Sequence, residues 1–353
     1  MTVAPIEGPG RFYSVWVPLA LVDRFPTVAP ERLLSDLSPP PRFAAESFAT
    51  YRPDPAEPSQ RAAVERLSAF AGTVAGGSSR GWWRRREPEG PTGVYLDGGF
   101  GVGKTHLLAA LWRAVHGAGP PALFATFVEI THLVGALGFA ETVQRLSTYR
   151  LVCVDEFELD DPGDTVLVST LLGRLAEAGV RLAATSNTLP GRLGQGRFAA
   201  QDFVREIQTL SERFEILRVE GEDYRHRGLP EAPTPVDDQA LRARADARPD
   251  VALDDFDALC RHLAGLHPSR YGALLDGVHA VCWSQVRTLS DQSVGLRLVV
   301  LADRLYDRSV PLTSSGVPLD QLFAGELLAG GYRKKYSRAV SRLVALSREA
   351  DGR

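Results

Sequence analysis

The sequence predicts an α/β fold: a parallel five-stranded sheet flanked by helices, followed by a smaller, mostly helical C-terminal domain with one strand. Three observations carry this. A Gly-rich turn, Gly98 to Gly103, lies between an apolar run and a helix-like segment. From Gly93 onward, short apolar runs alternate with segments of helical period. A proline- and charge-rich break without periodicity then falls at 228–250.

The elements follow in order. Residues 1–60 are Pro-rich and are expected to wrap the next domain in irregular structure. Gln60 to Gly72 has helical period, with Ala63, Val64, Leu67 and Phe70 on one face. A Gly76-Gly77-Ser78-Ser79 stretch leads into Arg80-Gly81-Trp82-Trp83-Arg84-Arg85-Arg86, a basic and aromatic cluster that reads as a solvated loop or a contact for an acidic partner. The core, 61–227, has expected strands at 94–96, 122–125, 151–154, 180–185 and 214–219. Leu151-Val152-Cys153-Val154 is apolar throughout, as a parallel strand buried on both faces should be. Residues 228–250 read as a linker and 251–353 as helices with a strand at Val310 to Thr313. The segments at 178–190 and 307–319 share a helix end, a V-x-L strand start, Ser and Pro. Two instances fall short of a repeat and read as shared helix-to-strand chemistry.

Composition bounds the class. Hydrophobic residues make up 44% of 353 and charged residues 24%, the balance of a soluble globular protein. The net charge of −3 gives no global field for nucleic acid, so such contact is not expected. Cys153, Cys260 and Cys282 are scattered and lack metal-ligand spacing, which suggests buried thiols in a reducing compartment. The first residues lack a signal-peptide pattern, and no stretch is apolar enough to span a membrane; a cytoplasmic protein is expected.

The chemistry begins at Gly98-Gly99-Phe100-Gly101-Val102-Gly103-Lys104-Thr105, which fits G-x-x-x-x-G-K-[ST] without mismatch. Glycines let backbone N–H groups curl round a polyphosphate, and the following helix adds its positive end. These residues, with His106 behind them, are the candidate ATP contacts; Lys104 would reach the β- and γ-phosphates and Thr105 would bind Mg²⁺. The apolar run 151–154 ends in Asp155-Glu156. Asp155 would hold Mg²⁺ with Thr105, and Glu156 would orient and deprotonate the attacking water, which favours hydrolysis. Asn187, ending the next strand, would bond the γ-phosphate or that water. The order of the three motifs is that of AAA+ ATPases.

The motifs DGGFGVGKTHLLAALW, LVCVDEFELDD, GVRLAATSNTLP and EGEDYR, in that order, resemble those of the ZapE-type cell-division ATPases and their mitochondrial relatives. LRLVVLADRLYDRSVPLTSSGVPLDQLF (296–323), YSRAVSRL (336–343) and YRPDPAEPSQRAAVERL (51–67) extend the likeness over most of 43–346. The resemblance implies an oligomeric AAA+ ATPase that associates with the division protein FtsZ and the inner face of the membrane. It places Arg297 where a second sensor could stand, against an alternative reading as a surface helix arginine. The family's arginine finger has no direct match, since Ala200 and Asp202 stand where arginines would. Arg197 and Arg205 are the substitutes, Arg197 preferred. After the second strand a short helix replaces a longer His- and Arg-containing family segment.

Two other functions compete. GKTHLL also resembles DNA-associated initiators and helicase loaders, for which Arg80 to Arg86 and Arg333, Lys334, Lys335, Arg338 and Arg342 would supply the phosphate contacts. A nucleotide-switched binding protein with little turnover would not need the intact Asp155-Glu156 pair.

Overall fold

The computed structural model describes residues 18–27, 34, 37–76, 92–99, 101–157, 162–186, 212–221 and 231–351. The chain divides into two compact units: Thr27–Pro230 with Asp307–Ser309, and Met1–Pro26 with Glu231–Tyr306 and Val310–Arg353.

The first unit is the expected parallel sheet. Its strands are β1 (Gly93–Gly98), β2 (Ala122–Thr126), β3 (Leu151–Asp155), β4 (Arg181–Ser186) and β5 (Phe214–Val219), in the order β2-β3-β4-β1-β5. All pairs are parallel, so each return must cross over. Helix α1 (Pro58–Gly76) precedes β1; α2 (Lys104–Gly117) leads from β1 to β2, α3 (Phe127–Leu137) and α4 (Phe139–Leu146) from β2 to β3, and α5 (Pro162–Glu177) from β3 to β4. β3 is buried at every residue, as its apolar run requires. One face of the sheet packs Phe124, Cys153 and Ala183 against Leu107 and Leu111 of α2 and Leu67 of α1. The other packs Val152 and Val154 against Ile130 of α3 and Leu171 of α5. Helix α3 starts where it does because Thr126 and Glu129 form a reciprocal capping box.

The second unit departs from the expectation of one strand. Among the described residues it holds three: β6 (Val251–Asp255), β7 (Ala280–Val286) and β8 (Leu312–Gly316), parallel and in the order β6-β7-β8. The linker also contains a helix, α6 (Asp238–Asp246). Around the sheet stand α7 (Phe256–Gly265), α8 (Tyr271–Leu274), α9 (Gln292–Asp307), α10 (Gly325–Ala329) and α11 (Arg333–Asp351). Short apolar runs such as Val251-Ala252-Leu253 have no distinguishing period, so only pairing with neighbours decides strand over helix.

Residues 18–26 belong to this second unit rather than wrapping the core. Leu19 pairs with Ala252 on the outer edge of β6. The buried Asp254 carboxylate accepts from the N–H groups of Leu21 at 3.1 Å and Val22 at 3.0 Å. Arg338 and Arg342, read above as phosphate contacts, turn inward instead: both donate to Asp303, Arg338 at 2.9 Å, and the Arg338 side chain is 7% exposed. All three cysteines are buried and free.

Candidate active site

The site lies at the carboxyl edge of the first sheet, where β1 and β3 end with β4 between them. Gly98 closes β1 against β5, and a Cβ there would lie 2.1 Å from the Val219 carbonyl oxygen, so the strand can leave only through glycine. Gly101 and Gly103 then take φ of 83° and 88°, a left-handed bend that side chains resist. Gly103 caps α2, and Lys104 is its first residue. The Lys104 ammonium is buried and donates to the carbonyls of Gly98 at 2.7 Å and Gly99 at 2.5 Å. It thus stands inside the curve of the loop, where a phosphate oxygen would meet it. Beside it Asp97 is buried. Desolvation raises its pKa, partly offset by Arg218 and Lys104. Phe100 lies outside the described residues.

β3 delivers the acidic pair. The Asp155 carboxylate, buried at the strand end, accepts from Thr105 Oγ1 at 3.3 Å and Thr185 Oγ1 at 2.5 Å on the same oxygen. Helix α2 and strand β4 therefore meet on one carboxylate. Glu156 follows with φ of 54°, unusual for a residue with a side chain, and its N–H donates to Thr185 Oγ1 at 3.0 Å. Phe157 N–H then donates to the Thr185 carbonyl at 2.7 Å, so two bonds fix the turn that aims Glu156.

Thr185 is the site residue that the sequence reading does not single out, although a hydroxyl one strand over from an acidic pair is the available signal.

The oxygens present suit Mg²⁺. This ion uses one or two protein oxygens plus phosphates and waters, and Thr105 and Asp155 offer that set. Among the described residues no cluster of three or more His, Cys, Asp or Glu could hold a metal by itself.

Other expected contacts fall differently. The His106 ring turns to the segment before α1: its Nε2 lies 3.0 Å from the Ser47 carbonyl, 3.2 Å from Thr50 Oγ1 and 3.4 Å from Glu46 Oε2. Tyr51 stacks edge-on against it and donates to the Val102 carbonyl at 2.8 Å, so this segment braces the loop from outside. Arg297 donates through Nη1 to the carbonyls of Leu263 and Leu266, both at 2.9 Å. Those contacts cap the end of α7 within the second unit. Asn187, Arg197 and Arg205 lie outside the described residues.

Cell division protein ZapE of Escherichia coli (strain K12) is 27% identical over 313 residues, covering 76% of this chain and 82% of that protein. Lactation elevated protein 1 homolog B of Danio rerio is 26% identical over 163 residues, 40% of this chain and 32% of that one. Among solved structures, AMPPCP-bound DnaA from Aquifex aeolicus aligns over 52% of this chain and 51% of that chain, with 13% identity and a TM-score of 0.39. The family model for AFG1-like ATPase matches residues 27–251 and 235–351. With the phosphate loop and acidic pair assembled on a sheet of AAA+ order, the chain belongs to the AFG1-like ATPase family.

Proposed function

We propose that this chain hydrolyses ATP with Mg²⁺ and uses the turnover to remodel a partner in cell division, as a ZapE-like protein acting on FtsZ polymers. The observation that carries the catalytic part is the linkage Thr105–Asp155–Thr185–Glu156, which ties the phosphate-loop helix to the acidic pair. The backbone N–H groups of Gly98 to Thr105 bind the triphosphate, and Lys104 exchanges a loop carbonyl for a phosphate oxygen. Thr105 and Asp155 hold the ion, which when bound neutralises charge on the β- and γ-phosphates. Glu156, aimed by its left-handed backbone, takes a proton from the attacking water. Asn187 bonds that water or the γ-phosphate, and Arg197 or Arg205 of a neighbouring copy completes the site in a homo-oligomer. Such a finger contributes about 10³–10⁵ in rate.

The partner reading rests on the likeness to Cell division protein ZapE. On this reading the protein works at the inner face of the membrane. Among the described residues, no helix is long and apolar enough to cross one.

Two measurements test the proposal. Glu156→Gln should keep ATP bound and lose turnover by at least about 10²-fold, the usual scale for a general base. Unchanged turnover would refute the assignment. FtsZ sedimentation should depend on ATP and on Glu156, and polymers that ignore both would remove the partner.

A further inference from the structure

The second unit repeats part of the first in order, register and packing. Strand β6, helix α7, strand β7, helix α9 and strand β8 follow one another as β2, α3, β3, α5 and β4 do, and each trio of strands is parallel in chain order. Ala122 stands opposite Leu151 and Val152 opposite Leu182; Val251 stands opposite Ala280 and Val281 opposite Leu312 in the same way. Leu151 and Ala280 are 129 residues apart in the numbering, and so are Glu156 and Gln285. Helices α5 (Pro162–Glu177) and α9 (Gln292–Asp307) keep that spacing lengthened by one residue at both ends.

The details agree as well. Helices α3 and α7 each open on a phenylalanine behind a capping side chain, Thr126 and Asp255. Outside the edge strand, Phe124 N–H donates to the Leu37 carbonyl, and Leu253 N–H to the Leu19 carbonyl. Cys153 packs under α2, and Cys282 packs with Leu241 and Ala245 of α6. The strand starts shared by the segments at 178–190 and 307–319 thus belong to an internal repeat rather than to local chemistry alone; residues 187–190 lie outside the described residues.

The catalytic edge is repeated with its chemistry changed. Gln285 takes φ of 56° where Glu156 takes 54°. Its N–H donates to Ser315 Oγ at 2.9 Å, as Glu156 N–H donates to Thr185 Oγ1 at 3.0 Å. Ser284 replaces Asp155. Val236 N–H donates to the Ser314 carbonyl, in the place beside the last strand that β1 takes in the core. From there the chain enters α6 through Asp237 alone, with no glycine loop. Asp238 is the first residue of α6, as Lys104 is of α2. Its carboxylate accepts from the Ser315 hydroxyl and, at 3.0 Å, from Gln285 Nε2, and these bonds hold its pKa below the ordinary value.

We propose that the second unit is a degenerate copy of the nucleotide-binding fold whose own site Asp238 has closed, so that each chain holds one nucleotide. A helix start with its donors calls for an anion, and here the chain supplies one covalently. A phosphate would meet a carboxylate where the core offers an ammonium, and it would find no loop of N–H groups. This goes beyond the ATPase reading, because the equivalence holds whatever the core turns over.

Equilibrium dialysis of the full chain with a non-hydrolysable ATP analogue and Mg²⁺ should give one site per chain, abolished by Lys104→Ala. Two sites, or one surviving in Lys104→Ala, would overturn the proposal. No binding in the wild type would sink the ATPase reading instead, and amide exchange then decides the repeat. Ser315→Ala should raise exchange at the Gln285 amide about tenfold, and Thr185→Val should do the same at Glu156, each losing one matched hydrogen bond. Undiminished protection of Gln285 in Ser315→Ala would overturn the equivalence.

Discussion

Replacing Thr185 with valine keeps volume and β-branching and removes one hydroxyl. That hydroxyl makes two bonds in the core: it donates to Asp155 Oδ1 at 2.5 Å and accepts from Glu156 N–H at 3.0 Å. A hydrogen bond to a charged group is worth about 1.5–3 kcal/mol, and an orphaned buried N–H costs about 1–3 kcal/mol. Since Glu156 is half-buried and water can replace part of the second bond, a loss of about 2–4 kcal/mol in stability is expected. At about 2–4 °C per kcal/mol for a unit of this size, calorimetry should find the core transition lowered by roughly 5–15 °C. The kinetic effect is separate. The left-handed backbone at Glu156 costs on the order of 1–2 kcal/mol and persists only while its surroundings hold it. Once released, the turn relaxes and the carboxylate shifts by about an ångström, enough for roughly a 10²-fold fall in kcat. KM for ATP should change little, since Thr185 touches the acidic pair and not the loop. Thr185→Ser keeps the hydroxyl and should recover most of the rate. A Thr185→Val protein with kcat within twofold of wild type would refute the reasoning, whatever its melting temperature.

Other expectations test other parts. In Gly103→Ala the new Cβ would sit 2.6 Å from the Tyr51 ring at a φ of 88°, so nucleotide affinity measured by calorimetry should fall at least about tenfold, a cost of roughly 1.4 kcal/mol. Asp303→Ala removes the buried carboxylate that Arg338 and Arg342 share, while Arg342 keeps its place over the Tyr306 ring. Urea unfolding should show the second unit weaker by about 3–5 kcal/mol. Burial raises the Asp254 pKa above 3.8, with the Leu21 and Val22 N–H groups pulling the other way. The folded unit therefore binds that proton more tightly than the unfolded chain, and stability should fall as pH rises from 3.8 through the raised value. Asp254→Asn should flatten that slope in urea melts across the same window.

Much of the core was legible because its signals are local. A phosphate loop needs glycines where φ turns positive and a lysine opening the helix, and the sequence carries both at fixed spacing. A doubly buried parallel strand must be apolar throughout, so 151–154 announced itself and placed Asp155 and Glu156 at its end. The second unit was harder to read for the same reason reversed. Its strands are five to seven residues long with apolar runs of four at most, inside helix-rich sequence, and strand is chosen there only by pairing across the sheet. Residues 18–26 looked like part of an N-terminal wrap, because nothing in them names the distant Asp254 carboxylate that receives their N–H groups.

Residue type and spacing set the chemistry to be expected: a polyphosphate cradle, an acidic pair at a strand end, and the order of motifs that sets the sheet. Those are properties of short segments, and residue type at close spacing encodes them. Tertiary structure alone decided which distant side chains complete them. It brought Thr185 onto both Asp155 and Glu156, gave the guanidinium of Arg297 to the end of a helix, and turned Arg338 and Arg342 inward. It also exposed the repeat, since a shared register survives substitutions that erase sequence likeness: packing constrains where a side chain stands more tightly than which side chain it is.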